Sequence, residues 1–318
     1  MKVDFSIIVP TRGDNPHLRQ ALASALATDE RLELLLVHDR RPGEPPLPSE
    51  VGSDSRVRLL ESERPGPSAA RNRGLAAAHG RFAAFLDDDD VFLASHLSRS
   101  LERLGAKPEV TLFACQAKLF RDTTRDGSMV PPADHTGLPP LWPGASGGPL
   151  TYGRLLLGNL IATNAVVLAR DKLGPDDRFD ESLTFLEDHE MWLRLARGGH
   201  LLWFDERPGV LVRKREGSSS RDRRGMAEAA LEVLRRETDR GLPTGEVDSG
   251  ALRRREGRLL HDLAYACLAE GDPRAARRAL YRSIPRLPLL AKNYAYLVLS
   301  SLPSAVGTAC LKARSSGP

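Results

Sequence analysis

Apolar residues fall in short blocks along the first two-thirds of the chain, and the period of each block names an element. Val3–Val9 (VDFSIIV) is a nearly unbroken apolar run that reads as a buried strand, stopped by Pro10. From Pro16 to Ala27 the apolar positions Leu18, Ala21, Leu22, Ala25 and Leu26 recur at helical spacing. Leu32–Val37 and Arg56–Leu60 read as a second and a third strand, and Pro67–His79 as a helix opened by a Pro-Ser pair. Arg81–Leu86 (RFAAFL) is a fourth strand, followed by four aspartates and a helix expected over Phe92–Leu104. Thr111–Phe120, Ala165–Leu168 and Leu201–Phe204 read as further strands, with a helix at Glu187–Arg197. Such alternation predicts an α/β fold, a mostly parallel sheet with helices on both faces.

Two interruptions organise the rest. Pro131–Pro149 holds six Pro and four Gly and reads as a long loop, of the kind that forms mobile lids. GSSSRDRRG (Gly217–Gly225) marks a boundary, which divides the chain into residues 1–220 and a helical C-terminal region, 221–318. Within that region Met226–Arg240, Leu252–Glu270 and Pro273–Ile284 read as helices. The last two form a hairpin of tetratricopeptide type without a second copy. Tyr294–Leu311 is the most apolar stretch, broken by Ser301, Pro303 and Gly307, and reads as a packed or interfacial helix.

Composition adds two limits. The 318 residues carry a net charge of +4, but residues 221–318 hold +7 and the first 220 hold −3. A basic tail behind an acidic body suggests contact with anionic lipid or a solvated Arg-rich surface, and no nucleic-acid motif accompanies it. The three cysteines, Cys115, Cys267 and Cys310, are far apart, which argues against zinc or disulfides and fits a reducing cytoplasm. The start, MKVDFSIIVP, enters an apolar strand directly, so a signal peptide is not expected.

In open α/β sheets ligands gather beyond the carboxyl ends of the strands. PTRGDN, HDRRPG and DDDD fall there, and no GxGxxG or GxxxxGK[ST] is present. Four adjacent carboxylates (Asp87–Asp90) are costly unless a cation offsets them. A hard cation such as Mg²⁺ or Mn²⁺ takes one or two carboxylates plus substrate phosphates, so Asp-x-Asp suits a metal–diphosphate pair. Asp90 is expected to cap the helix after it. Glu187 and Asp188 open an amphipathic helix, where carboxylates also suit the helix dipole.

FSIIVPTRGDNPHLRQALASAL, ELLLVHDRRPG, GPSAARNRGLAAAHGRFAAFLDDDD and FLEDHEMWLRLARGG, in that order, resemble the inverting family 2 glycosyltransferases. The resemblance runs from about Phe5 to Ser220. It implies the GT-A fold, with a nucleotide-binding α/β domain and a C-terminal helical appendage outside the match. It implies a metal-assisted, inverting transfer of a sugar from a nucleotide-sugar, most readily a UDP-sugar, to a hydroxyl on a glycan or lipid-linked precursor. Residue by residue it implies a nucleotide pocket lined by the backbone of Pro10 and Thr11, with Asp39 on the base and Arg71 nearby. It gives Asp87 the ribose and a share of the metal, Asp89 the metal, and Asp88 a supporting place between them. Asp188 is implied as general base, and Glu187 and Trp192 as possible acceptor contacts, although Trp192 among leucines also suits a core.

Two positions depart from the family pattern. His38 stands where an Asp is usual, and VRKREGSSS has Arg215 or Glu216 where relatives carry a metal-facing His. Arg213, Lys214 and Arg215 offer cations to diphosphate oxygens, or else form a solvated strand end. The cysteines and the basic tail together predict a cytoplasmic protein, held at the inner face of the membrane by its basic helices where the acceptor is lipid-linked. The competing readings are a catalytically silent nucleotide-sugar-binding module and, less well supported without a Gly-rich first loop, a sugar-1-phosphate nucleotidyltransferase.

Overall fold

The structure, a computed structural model, describes residues 3–28, 30–39, 47, 54–125, 128–214 and 222–302. By its contacts the chain forms two compact units, Met1–Ser182 with Glu187–Glu216, and Leu183–Leu186 with Gly217–Pro318.

The first unit is built on β1 (Phe5–Thr11), α1 (Leu18–Leu26), β2 (Leu32–His38), β3 (Val57–Glu61), α2 (Pro67–Ala77) and β4 (Phe82–Phe85). These are followed by β5 (Val91–Phe92), α3 (His96–Ala106), β6 (Val110–Phe120), β7 (Thr123–Arg125), β8 (Ser128–Val130) and β9 (Gly148–Leu150). α4 (Tyr152–Leu157), β10 (Val166–Ala169), α5 (Glu187–Arg197) and β11 (Leu201–Arg213) complete it. The central sheet runs β3-β2-β1-β4-β10-β6-β11-β5, with β9 on the edge of β11. β1, β2, β3, β4, β6 and β11 point one way, and β5, β9 and β10 point the other. β1, β2 and β4 are buried along their whole length, which is why they read as continuous apolar runs.

α2 lies close on β1. A Cβ on Gly74 would meet the Ile8 side chain at 2.4 Å, so the helix can approach this far only with glycine there. That approach brings Arg71, one turn earlier on α2, to the carboxyl end of the sheet.

Two expectations need correction. The helix expected from Phe92 begins at His96, because Val91 and Phe92 instead pair as a short strand with Leu211 and Val210 of β11. The Pro131–Pro149 segment is tied down rather than loose. Leu141 N donates to Ala117 O at 2.7 Å, Gln116 Nε2 to Trp142 O at 2.9 Å, and Lys118 Nζ to His135 O at 2.6 Å. Its last residues join the main sheet as β9.

The second unit contains α6 (Arg223–Asp239), α7 (Ser249–Ala269), α8 (Pro273–Ser283) and α9 (Ala291–Leu299). Asp222, Asp248 and Asp272 cap the first three through their carboxylates. Leu260, Ala264, Cys267, Ala276, Ala279 and Leu280 form its interior. The chain beyond residue 302, and with it much of the Tyr294–Leu311 stretch, lies outside the described residues. Among those described, no helix is long and apolar enough to cross a membrane.

Candidate active site

The carboxyl ends of β1, β2 and β4 meet at one corner of the sheet, and hydrogen bonds between their loops fix it. Asp39 N donates to Thr11 O at 2.7 Å, which locks the end of β2 against β1 and Pro10–Thr11. The Asp39 carboxylate accepts from Gly66 N at 2.6 Å; Gly66, at φ +113°, occupies a conformation that other residues rarely adopt and opens α2. No described residue occupies the second Asp39 oxygen.

The four aspartates separate by position. Asp87 is about half-buried, its side chain 40% exposed, and Oδ1 accepts from Arg71 Nη2 at 2.9 Å. Asp88 is half-buried too, but its two oxygens accept from Thr11 Oγ1 and Asn15 Nδ2, each at 2.6 Å. Asn15, in the PTRGDN loop, is a site residue that its own motif had offered and that the sequence reading passed over. Asp89 is half-buried, and its carbonyl accepts from Arg213 Nε at 2.7 Å.

Asp90 is no helix cap. It is buried and accepts from Arg213 N at 2.7 Å and from Asn164 Nδ2. Pairing of β5 with β11 carries the main chain of Arg213 beside it, so the carboxyl points into the protein and not at a helix terminus. Burial first, then the charges of Asp89 and Asp87, pushes its pKa well up. Arg213 is also neither a solvated strand end nor a free cation. Its side chain is 1% exposed, paired with Asp122, bonded to Gln20 at 2.9 Å and stacked over Phe120 at 4.6 Å.

Arg71 joins this corner to α5. Its Nη1 donates to Glu187 Oε1 at 2.7 Å while Nη2 holds Asp87, a link across 116 residues of sequence. The guanidinium is 6% exposed and lies over the Phe179 ring at 5.6 Å. Leu186, at φ +60°, turns the chain sharply into α5, so that Glu187 and Asp188 open the helix at the corner. Asp188 is half-buried; its Oδ2 accepts from Thr163 Oγ1 at 2.9 Å and its Oδ1 from His189 N at 2.6 Å. Burial pushes Asp188 up, and Arg71, Thr163 and the His189 amide oppose this without cancelling it. Burial raises Glu187 too, against the pull of Arg71.

Thr163 and Asn164 carry no sequence signal, yet as neighbours in one 3₁₀ turn (Thr163–Ala165) they hold Asp188 and Asp90 respectively. Trp192 corrects an expectation: it is fully buried, edge-on to Phe179 at 5.9 Å, and belongs to the core rather than to an acceptor surface. His189 is a local tie, with Nε2 at 2.8 Å from Leu155 O. Arg215 and Glu216 lie outside the described residues.

Among the described residues no group of three or more His, Cys, Asp or Glu stands ready to hold a metal. The donors at the corner are oxygens, a half-exposed Asp87 and a half-buried Asp89. That set fits a hard cation that completes its shell with phosphate and water, and does not fit a soft metal.

Residues 6–137 match the model of glycosyl transferase family 2. The chain carries a family 2 glycosyltransferase domain. Over 198 residues it is 28% identical to the UDP-Glc:alpha-D-GlcNAc-diphosphoundecaprenol beta-1,3-glucosyltransferase WfgD of Escherichia coli, covering 62% of this chain and 71% of that one. In fold it is similar to S. aureus TarS 1-349, solved in complex with UDP-GlcNAc, with a TM-score of 0.57 at 14% identity over 92% of both chains. The mannosyltransferase PcManGT of Pyrobaculum calidifontis, solved with GDP-Man and Mn2+, gives a TM-score of 0.57 at 17% identity over 100% of this chain and 89% of that one. At such identities the glycosyltransferase domain shares an architecture with these enzymes, and its chemistry rests on its own residues.

Proposed function

We propose that the chain transfers a sugar from a nucleoside-diphosphate sugar, most simply a UDP-sugar, to a hydroxyl of a glycan or lipid-linked acceptor, with inversion. The observation that carries this reading is the Arg71 bridge, which holds Asp87 and Glu187 at one corner and so sets Asp188 beside the donor-binding aspartates. Asp188 takes the acceptor proton as the acceptor oxygen bonds to the anomeric carbon and the bond to the diphosphate oxygen breaks. A carboxylate whose pKa is raised is, in its ionised form, a stronger base than an ordinary one. Arg71 holds Asp87 and Glu187 in place and offsets negative charge beside Asp188.

In the donor pocket Asp39 accepts from a ring N–H of the base, while the Pro10–Thr11 backbone lines the nucleotide. Asp88 serves by holding Thr11 and Asn15 beside the donor. Asp87 and Asp89 would hold Mg²⁺ or Mn²⁺, which supplies positive charge to the departing diphosphate. The lipid-linked acceptor in the description of the E. coli relative supports an acceptor of that class. In this reading the enzyme works on the cytoplasmic side of the membrane that bears the acceptor.

The test is a thermal-shift screen of UDP-, GDP-, dTDP- and CDP-sugars with and without Mn²⁺. A ligand that binds the native state raises its apparent stability. The reading expects the UDP-sugar to give the largest shift and Mn²⁺ to increase it; no shift with any nucleotide-sugar overturns it.

A further inference from the structure

The second unit turns an apolar helix face outward. In α9, Ala291, Tyr294 and Val298 repeat at helical spacing and are exposed, while Asn293 on the opposite side is buried. Asn293 is held inside by His261 Nδ1 at 2.7 Å and by donating to Ser283 Oγ at 3.0 Å, so α9 cannot simply roll its apolar face inward. Leu289, just before α9, is 97% exposed, Val298 is 65% exposed and Tyr281 on α8 is 63% exposed. Soluble surfaces rarely expose several such side chains on neighbouring segments of the chain.

The charge around them has one sign. Residues 273–302 contain Arg274, Arg277, Arg278, Arg282, Arg286 and Lys292 and no Asp or Glu. Arg282 and Arg286 reach Glu256 of α7, but Arg274, Arg278 and Lys292 form no ion pair with any described residue. An isologous contact between two copies would set these cations against their own counterparts, with no carboxylate of the segment to relieve them. Nucleic acid would meet the cations but would leave the aliphatic Leu289 and Val298 in water. An anionic bilayer meets both needs, since headgroups neutralise the cations and the interfacial region takes the apolar side chains and tyrosines.

We infer that the α8–α9 face of the second unit is a docking surface for a membrane rich in anionic lipid. It rests on charge and exposure alone and stands apart from the assignment of donor and base.

The test is co-sedimentation of the full chain with vesicles of phosphatidylcholine, alone or mixed with phosphatidylglycerol. Binding is expected only to the mixed vesicles and is expected to weaken at high salt. The variant Arg274→Glu/Arg278→Glu/Lys292→Glu is expected to bind roughly 100-fold less tightly or worse. Leu289→Ser/Val298→Ser, at unchanged charge, is expected to lose about tenfold. These residues are exposed, and unchanged thermal unfolding confirms that each variant is folded. Equal binding to both vesicle types, or variants that bind like the parent, overturns the inference. So does retention on a mixed-sequence oligonucleotide without vesicle binding, or a dimer in sedimentation velocity that Leu289→Ser/Val298→Ser dissociates.

Discussion

Thr163 donates its hydroxyl to Asp188 at 2.9 Å from a turn that otherwise lies on no motif. The bond fixes one oxygen of the proposed base, and the His189 amide fixes the other. Thr163→Val keeps the shape and removes the donor. Hydrogen bonds to charged groups contribute about 1.5–3 kcal/mol, so kcat should fall roughly 10- to 100-fold. Thr163→Ser should keep most of the activity, and steady-state kinetics on the two variants checks the pair.

The pH profile follows from the same group. Asp188 acts only when ionised, and burial holds its pKa above the ordinary value. The rate should therefore climb with pH along an acid limb whose midpoint lies above about 3.9, the usual aspartate value. Loss of the Thr163 donor destabilises the charged form and should shift that limb to still higher pH. A kcat/KM profile measured on the parent and on Thr163→Val reads both effects; a limb that moves downward in the variant contradicts the assignment.

Arg71 should matter for stability as well as for the site. Its guanidinium is almost fully buried between Asp87 and Glu187, so Arg71→Ala strands a largely buried carboxylate. Breaking such a pair costs about 3–5 kcal/mol. Arg31, paired with Asp4 at 2.8 Å but mostly exposed, is the natural control, and Arg31→Ala should cost less than about 1 kcal/mol. Urea unfolding of both variants separates the two cases.

Glu33 offers a stability test away from the site. Burial pushes its pKa up, but Ser6 at 2.7 Å, the His79 amide at 2.6 Å and Arg58 outweigh this and hold it below its usual value. A depressed folded-state pKa contributes stability above the unfolded value and loses it as pH falls through the folded value. Glu33→Gln should therefore destabilise by about 1–3 kcal/mol near pH 7, and the gap to the parent should narrow as pH falls below about 4.3. Denaturant unfolding across that range measures it.

What the sequence made legible was whatever repeats locally. The apolar runs of β1, β2 and β4 and the helical spacing of α1 and α5 announced an α/β sheet because each signal spans only a few residues. Asp90 was misread because its partners, Asn164 and Arg213, lie 74 and 123 residues away, and nothing near Asp90 distinguishes a cap from a buried acid. Arg213 looked like one of three exposed cations for the same reason. Thr163 and Asn164 matter only through a turn that tertiary packing sets against two acids. Whether α9 packs or faces outward stayed open because its apolar residues follow the spacing of a core helix, and only their exposure shows which way they point.

The most direct test of the account is sugar transfer by Asp188→Asn, measured beside a titration of the nucleotide-sugar. The amide keeps the shape but cannot accept the acceptor proton. Turnover should fall by roughly 10²- to 10⁴-fold, the usual contribution of a positioned base, while the donor binds as tightly as to the parent. An Asp188→Asn enzyme that transfers sugar at the parent rate contradicts the account.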